Sequence, residues 1–167
     1  MEQLAKPNVP IPADNADALF AEYADMVYRL AFLRTKSGSD ADDIVQEVFL
    51  RALRAKPVWN SLEHQKAWFL RVTINCSKSL LTSAWRRNTV PEDENLLTQM
   101  QTTTEVYPYV LALPTKYRTV IHLYYYEGYR VSEIATIMGE KENTVKSHLF
   151  RARDMLREQL KGEFQDV

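Results

Sequence analysis

The chain has 167 residues, a formal net charge of −1 and 46% hydrophobic residues. This length fits one domain or two small ones, and the hydrophobic share excludes a chain that is disordered throughout. Cys76 is the only cysteine, which excludes a disulfide framework and favours a small buried thiol in a reducing compartment. The sequence shows neither a signal peptide nor the roughly 18-residue apolar run of a membrane span, so we expect a soluble cytoplasmic protein.

Helices are predicted wherever the apolar residues are periodic, and the four glycines fall at the ends of those patterns. After a leader over 1–13, expected to be flexible, a first amphipathic helix ends near Ser37 and Gly38. A second helix begins with Ser39 or Asp40 as its cap. No stretch shows the alternation of a strand, so the prediction is an all-α protein.

The second predicted helix carries an acidic face. Its apolar residues recur at helical spacing and leave Asp43, Gln46 and Glu47 together on the other side. Solvation and compensation of the helix dipole explain such acids without any partner, and on physical grounds alone that explanation is favoured. A basic protein partner is the alternative.

The third predicted helix begins at Asn60, with Glu63 completing a capping box, and carries a polar and basic stripe. The stripe recurs at steps of four, three, four and four, and its members are Arg71, Asn75, Lys78, Thr82 and Arg86. No acid occurs in residues 64–88, so nucleic-acid phosphates are the natural counter-charge. A polar tip such as that of Asn75 can read an unstacked base, whereas Trp59 and Trp68 are expected to fill the core.

Residues 89–104 are polar and acidic, which is typical of a flexible linker, so we expect two small helical domains at 14–88 and 105–165. In the second, VSEIATIMGEKENTVKSHLFRARDMLR predicts a helix-turn-helix that breaks at Gly139. The longer helix has an apolar stripe of Val145, Leu149, Ala152, Leu156 and Leu160. The opposite side holds Asn143, Lys146, Ser147, Phe150, Arg151 and Asp154.

Three runs in this order resemble bacterial RNA polymerase sigma factors of the extracytoplasmic-function group, which belongs to the sigma-70 family and keeps only regions 2 and 4. DADDIVQEVFLRAL looks like the region 2 segment that binds the clamp helices of the polymerase β′ subunit. AWFLRVTINCSKSLL is similar to the segment that melts and reads the −10 element, and the run from Leu113 to Leu156 is similar to region 4, which reads the −35 element.

The resemblance implies a function and a set of contact residues. It implies that core polymerase is bound through Asp43, Gln46 and Glu47. It implies that the −10 element is bound through Arg71, Asn75, Lys78, Arg86 and Arg87. It implies that the −35 element is bound through Asn143, Thr144, Lys146, Ser147, His148, Phe150 and Arg151. Promoter DNA, the β′ clamp helices, the β flap and an anti-sigma factor are the implied partners, with no cofactor, metal or catalysis.

The sequence departs from the family pattern at the helix-turn-helix. Arg130 and Lys141 stand where relatives place small cap residues, so we expect caps from Ser132 or from neighbouring backbone. Glu140 stands where an apolar turn residue is usual, and His148 replaces a common arginine.

Three other classes of protein fit the sequence less well than a sigma factor. A LuxR-type regulator also carries a segment like ENTVKSHL, but it would need a receiver domain with alternating strands and helices. An enzyme is disfavoured because His64, His122 and His148 show no metal-ligand spacing and no phosphate loop or nucleophile motif occurs. His122 is expected to be a core residue, and no feature specifically favours a protein that sequesters a sigma factor.

Overall fold

The computed structural model describes residues 9–87 and 105–164, with side chains described over 9–82 and 105–162. Its helices are α1 (Ala16–Thr35), α2 (Gly38–Ala55), α3 (Leu62–Arg87), α4 (Tyr107–Leu111), α5 (Thr115–Ile121), α6 (Val131–Met138) and α7 (Glu142–Phe164). A π-helical turn, His122–Tyr126, continues α5. The described residues contain no strand, so the predicted all-α fold is confirmed, while the predicted linker at 89–104 lies outside them.

Helices α1, α2 and α3 pack around an aromatic core. Phe69 of α3 lies at its centre, with ring centroids 4.6 Å from Tyr23, 5.4 Å from Phe49 and 5.8 Å from Trp59. Trp59 is buried and Trp68 packs edge-on against Phe69 at 5.0 Å. Each such ring pair contributes about 0.5–1.5 kcal/mol beyond the burial of its area. Both tryptophans fill the core, as the sequence predicted.

The start of α2 differs from the prediction. Ser37, rather than Ser39 or Asp40, is the cap, because its Oγ accepts a hydrogen bond from the Asp40 N–H at 3.3 Å. Lys36 ends α1 in the left-handed region at φ 55°, so the chain reverses at once. Because the turn between α1 and α2 is this short, α2 begins at Gly38, and Ser39 and Asp40 already lie inside the helix.

The start of α3 differs in the same way. Ser61 Oγ accepts from the His64 N–H at 3.0 Å, which is the position of a cap. The Asn60 N–H donates to His64 Nδ1 at 3.1 Å, so the predicted capping box of Asn60 with Glu63 is wrong by one residue. A serine hydroxyl next to the helix competes better for its first N–H groups than the more distant amide.

Helices α6 and α7 form the predicted helix-turn-helix, with α5 packed behind them. Gly139 ends α6 at φ 67°, where a side chain would be strained. At the start of α6, Glu133 Oε2 accepts from the Arg130 N–H at 2.8 Å, so the cap comes from Glu133 and not from Ser132. The apolar stripe of α7 is buried over Val145 and Leu149, as predicted.

Two buried arginines join the two groups of helices. Arg34, at the end of α1, donates to Ser77 Oγ of α3 and, at 2.7 Å, to Thr119 Oγ1 of α5. Arg118 of α5 donates to the carbonyl of Arg34 at 2.9 Å and to that of Leu113 at 2.8 Å. Burial lowers the pKa of each guanidinium to about 10, and for Arg34 the charge of Arg118 adds to this effect. Both remain charged and hydrogen-bonded at neutral pH.

An ion pair closes the other side of the same interface. Lys66 Nζ of α3 lies 3.1 Å from Glu127 Oε2, at the end of the π-turn, and 5.4 Å from the ring centroid of Tyr129. His122 Nε2 lies 3.4 Å from Glu127 Oε1, and His122 is buried as the sequence predicted. Burial opposes ionisation of Glu127, but His122 and Lys66 together outweigh it and lower the pKa of Glu127 to about 2.

This interface explains why α3 is buried on two sides. Phe69 and Cys76 are buried on the side of α3 away from the polar stripe, and the buried thiol predicted for Cys76 is confirmed. Ile74 and Ser77 are also buried, although the amphipathic pattern placed neither in the core. Contacts of α3 with both α1 and α6 account for the second buried side.

Candidate nucleic-acid and polymerase contact surfaces

Helix α7 presents a polar and basic face to solvent. Its apolar stripe seats the helix on α5 and α6, so the remaining positions turn outward. The exposed candidates for the −35 element are Asn143, Lys146, Ser147, Phe150 and Arg151. Phe150 is 72% exposed on the same face.

Two of the predicted −35 residues lie differently. Thr144 is half-buried. The His148 side chain is only 12% exposed, and its Nδ1 lies 3.5 Å from Glu140 Oε2 in the turn. The structure therefore turns His148 toward its own domain and does not group it with the exposed side chains of α7.

The polar stripe of α3 is exposed along its described part. Arg71, Asn75 and Lys78 all face solvent, and Arg71 and Lys78 form no ion pair within the described residues. Arg71 and Lys78 are seven residues apart, which is roughly 10 Å along the helix axis. The side chains of Arg86 and Arg87 lie outside the described part.

The predicted acidic face of α2 is exposed and only partly neutralised. Asp43 and Gln46 are exposed, whereas Glu47 accepts from Arg51 Nε at 3.0 Å in an exposed ion pair one turn along the helix. Such a pair contributes about 0.3–0.5 kcal/mol and is easily exchanged for a partner's charge.

Sequence reasoning missed an apolar patch beside this face. It is formed by Phe20 of α1, which is 54% exposed, and by Leu50 and Leu53 of α2, at 42% and 40%. Leu53 was predicted to be buried. The signal was available in the sequence, because α2 carries more apolar residues than a single core-facing stripe requires.

A second feature that the sequence did not indicate is a groove in the second group of helices. It has a volume of about 740 Å³ between α4, the end of α5 and the last turns of α7. Its apolar lining comes from Val106, Val110, Ile121, Leu156 and Leu160. Basic residues form its rim, and they are Arg153, Arg157 and Lys161. Arg153 donates to Tyr125 Oη at 2.7 Å, which holds its guanidinium at the groove.

The part of the chain that the structure describes contains neither a cluster of metal-ligand residues nor a membrane-spanning helix. Its His, Cys, Asp and Glu residues form no group able to hold a metal ion. None of its helices is both long enough and apolar enough to cross a membrane.

These surfaces define the class of protein: an all-α chain with a helix-turn-helix and a second, separate basic helix. Comparison with family models identifies the family. Residues 19–87 match sigma-70 region 2, and residues 105–156 match sigma-70 region 4. The chain belongs to the sigma-70 family of RNA polymerase sigma factors, in its extracytoplasmic-function group. Sigma factors are transcription initiation factors rather than catalysts, and the family matches favour this function over a LuxR-type regulator.

Curated relatives agree along most of the chain. The chain is 34% identical over 142 residues to the RNA polymerase sigma factor SigV of Bacillus subtilis, which covers 81% of the chain and 85% of SigV. It is 31% identical over 151 residues to the ECF sigma factor SigL of Mycobacterium tuberculosis, covering 84% and 85% of the two chains.

Solved structures show the same fold. The sigma factor RpoE of Bartonella quintana, determined in complex with the anti-sigma factor NepR, matches with a TM-score of 0.69 at 20% identity over 89% of this chain and 98% of that one. CnrH, determined in complex with the cytosolic domain of CnrY, matches with a TM-score of 0.65 at 22% identity, covering 89% of each chain.

Proposed function

We propose that this sigma factor binds core RNA polymerase through α2 and reads promoters at two places, with α3 at the −10 element and α7 at the −35 element. The proposal assigns 14–88 to region 2 and 105–165 to region 4, joined by the segment 89–104. It also places the protein in the cytoplasm, where the polymerase acts. The observation that carries the proposal is that α3 and α7 each bury an apolar side and expose a basic one.

The acidic face of α2 suits the polymerase. Asp43 and Glu47 offer negative charge, and Gln46 offers a hydrogen-bonding amide, to the basic β′ clamp helices that the family resemblance implies. Phe20, Leu50 and Leu53 lie beside them and supply apolar area that charge alone would not. An interface of this kind gains orientation and association rate from its charges and affinity from its apolar part.

The two basic faces suit DNA in different states. A helix of a helix-turn-helix enters the major groove, where Lys146, Ser147 and Arg151 can contact base edges or phosphates. Phe150 is exposed on the same face and offers apolar contact to a thymine methyl group. On α3, Arg71 and Lys78 can hold the phosphates of an unpaired strand while Asn75 reads a base.

The apolar groove of the second group suits an amphipathic helix. Its basic rim of Arg153, Arg157 and Lys161 favours a helix with acidic flanks. We assign it to the β flap of the polymerase and to an anti-sigma factor, which would then compete for it.

The test combines the purified protein with core polymerase and genomic DNA. We expect association with core, measured by size-exclusion chromatography, and initiation at discrete sites, mapped by sequencing the transcripts. Asp43→Arg with Glu47→Arg should abolish association. The matched control is Asp25→Arg with Glu63→Arg, which changes the same charge at exposed acids outside α2 and should leave association unchanged.

The DNA contacts are tested separately from association. Lys146→Ala should leave association with core intact, weaken promoter binding and reduce the salt slope by about one. Lys56→Ala removes an exposed lysine outside both basic faces and should change neither quantity. A wild-type protein that neither associates with core nor supports initiation would contradict the proposed function.

A further inference from the structure

Glu140 and His148 form a partly buried pair inside the helix-turn-helix. Glu140 Oε2 lies 3.5 Å from His148 Nδ1, and the two side chains are 30% and 12% exposed. Neither atom reaches solvent, and neither makes a hydrogen bond within the described chain. Their contact is therefore electrostatic, and the charge of Arg34 also acts on Glu140.

The pair connects the turn, α7 and the helix α5 behind the motif. Glu140 lies in the turn directly after Gly139, and His148 lies in the second turn of α7. The edge of the His148 ring meets the buried ring of Tyr117 on α5, with centroids 5.6 Å apart at 75°. One side chain thus connects the recognition helix to the turn and to the helix behind it.

We propose that His148, held by Glu140, is a positioning residue that sets the rotation of α7 and thereby its discrimination among promoters, without touching DNA. This inference rests on the proposed function of α7. Consecutive residues of an α-helix are about 100° apart around its axis, so fixing His148 fixes the directions of Ser147 and Arg151. Recognition geometry must be held within roughly 0.5 Å and 10–20°, which loose packing does not achieve.

The chemistry of the pair fits an orienting role. An imidazole with its proton on Nδ1 directs that N–H toward the carboxylate, and a slightly closer approach than 3.5 Å would make a hydrogen bond. The Oε2 atom of Glu140, which does not reach solvent, would lose its nearest donor if His148 were absent. Closing the contact is therefore favoured over leaving Glu140 free in the turn.

Two other roles for His148 make different predictions. A direct phosphate contact would act independently of Glu140 and would change the salt slope of DNA binding. If His148 only filled the core, its substitution would reduce the folded fraction of the protein. The apparent affinity for all DNA sequences would then fall equally. Only a positioning role predicts that the effects of His148 and Glu140 substitutions are coupled and that both reduce the discrimination between promoter sequences.

The experiment uses holoenzyme assembled from the full chain and core polymerase. The probes are a promoter fragment found by the mapping described above and the same fragment with its −35 element scrambled. The ratio of the two affinities is measured at several salt concentrations for wild type, Glu140→Ala, His148→Leu, the double variant and His148→Asn. Because both fragments are bound by the same preparation, a misfolded fraction cancels from the ratio.

We expect Glu140→Ala and His148→Leu each to lower the ratio about five- to tenfold, and the double variant to lower it no further, as for two residues of one contact. His148→Asn keeps a donor at the place of Nδ1 and should restore most of the ratio. The salt slope should not change.

Additive losses with a slope change of about one would show a direct phosphate contact and overturn the proposal. An unchanged ratio in every variant would overturn it as well. A wild-type holoenzyme that does not discriminate between the fragments would instead contradict the proposed function, and with it the positioning role.

Discussion

Gln65 makes three hydrogen bonds inside the first group of helices. It is fully buried in α3, where its Oε1 accepts from Tyr23 Oη at 2.8 Å and from the Ile11 N–H at 3.1 Å. Its Nε2 donates to the Ile11 carbonyl at 2.7 Å. One amide thus ties the segment before α1 to two helices.

Gln65→Leu keeps the volume of this side chain and removes all three hydrogen bonds. Each fully buried group left unpaired costs about 1–3 kcal/mol. The two backbone groups of Ile11 are only partly buried, so we expect a total loss of about 2–5 kcal/mol in the free energy of unfolding. Urea unfolding followed by circular dichroism measures it. Tyr23→Phe, which removes one of the three bonds, should cost about 1 kcal/mol. Equal losses in the two variants would show that the bonds to Ile11 do not contribute.

At the scale of elements, the start of α6 depends on a side chain inside the helix. Glu133 accepts the Arg130 N–H and also places a negative charge in the first turn, where the helix dipole favours it. Glu133→Ala should therefore lower stability by about 0.5–2 kcal/mol. Ser132→Ala changes an exposed neighbour and should have almost no effect. A larger effect at Ser132 would assign the cap to the hydroxyl after all.

Sequence patterns predicted which side of α7 is buried, because that depends on spacing within one element. Val145 and Leu149 are buried and Lys146 and Arg151 exposed as periodicity requires. Sequence patterns did not predict contacts between residues that lie in different elements. The pairing of Glu140 with His148 joins residues from a turn and a helix, and neither residue's neighbours in the sequence indicate it.

The same limit explains the missed interface. Arg34 lies among apolar residues at the end of α1, and its partners Ser77 and Thr119 are 43 and 85 residues away. No local pattern connects such positions. The contact residues assigned to promoter DNA and polymerase came from the family resemblance and remain predictions, although the structure exposes most of them.

At the scale of the whole molecule, the packed arrangement of the two groups of helices is too small to contact both promoter elements at once. The −10 and −35 elements lie about 25 base pairs apart, roughly 85 Å along B-DNA. A compact chain of this size has a radius of gyration of roughly 15 Å, so the packed arrangement cannot reach both elements. The stretch from Arg87 to Tyr107 can span at most roughly 65 Å when extended, which suffices once the two groups of helices separate.

Separation must break the Lys66–Glu127 ion pair, in which His122 and Lys66 together lower the pKa of Glu127 from 4.5 to about 2. The stabilisation that comes from the ionised Glu127 carboxylate is therefore present above pH 4.5 and is lost as the pH falls toward 2. Charge reversal is therefore a better probe of the interface than titration.

Lys66→Glu should drive the two groups of helices apart, because it places a second carboxylate beside Glu127 in a half-buried site. Small-angle X-ray scattering of the free protein should show a radius of gyration well above the roughly 15 Å of the compact form. The control Lys56→Glu makes the same change at an exposed lysine away from the interface and should leave scattering unchanged.

Circular dichroism distinguishes separation from unfolding, since separated groups keep their helices while an unfolded chain loses them. Lys66→Met removes the charge but keeps an apolar stem beside Tyr129, so its expansion should be smaller than that of Lys66→Glu. Identical scattering of the Lys66→Glu and Lys56→Glu proteins would show that the buried arginines, Arg34 and Arg118, hold the two groups together without the ion pair. The closed arrangement would then open only when polymerase or DNA contributes enough binding energy to break those arginine contacts.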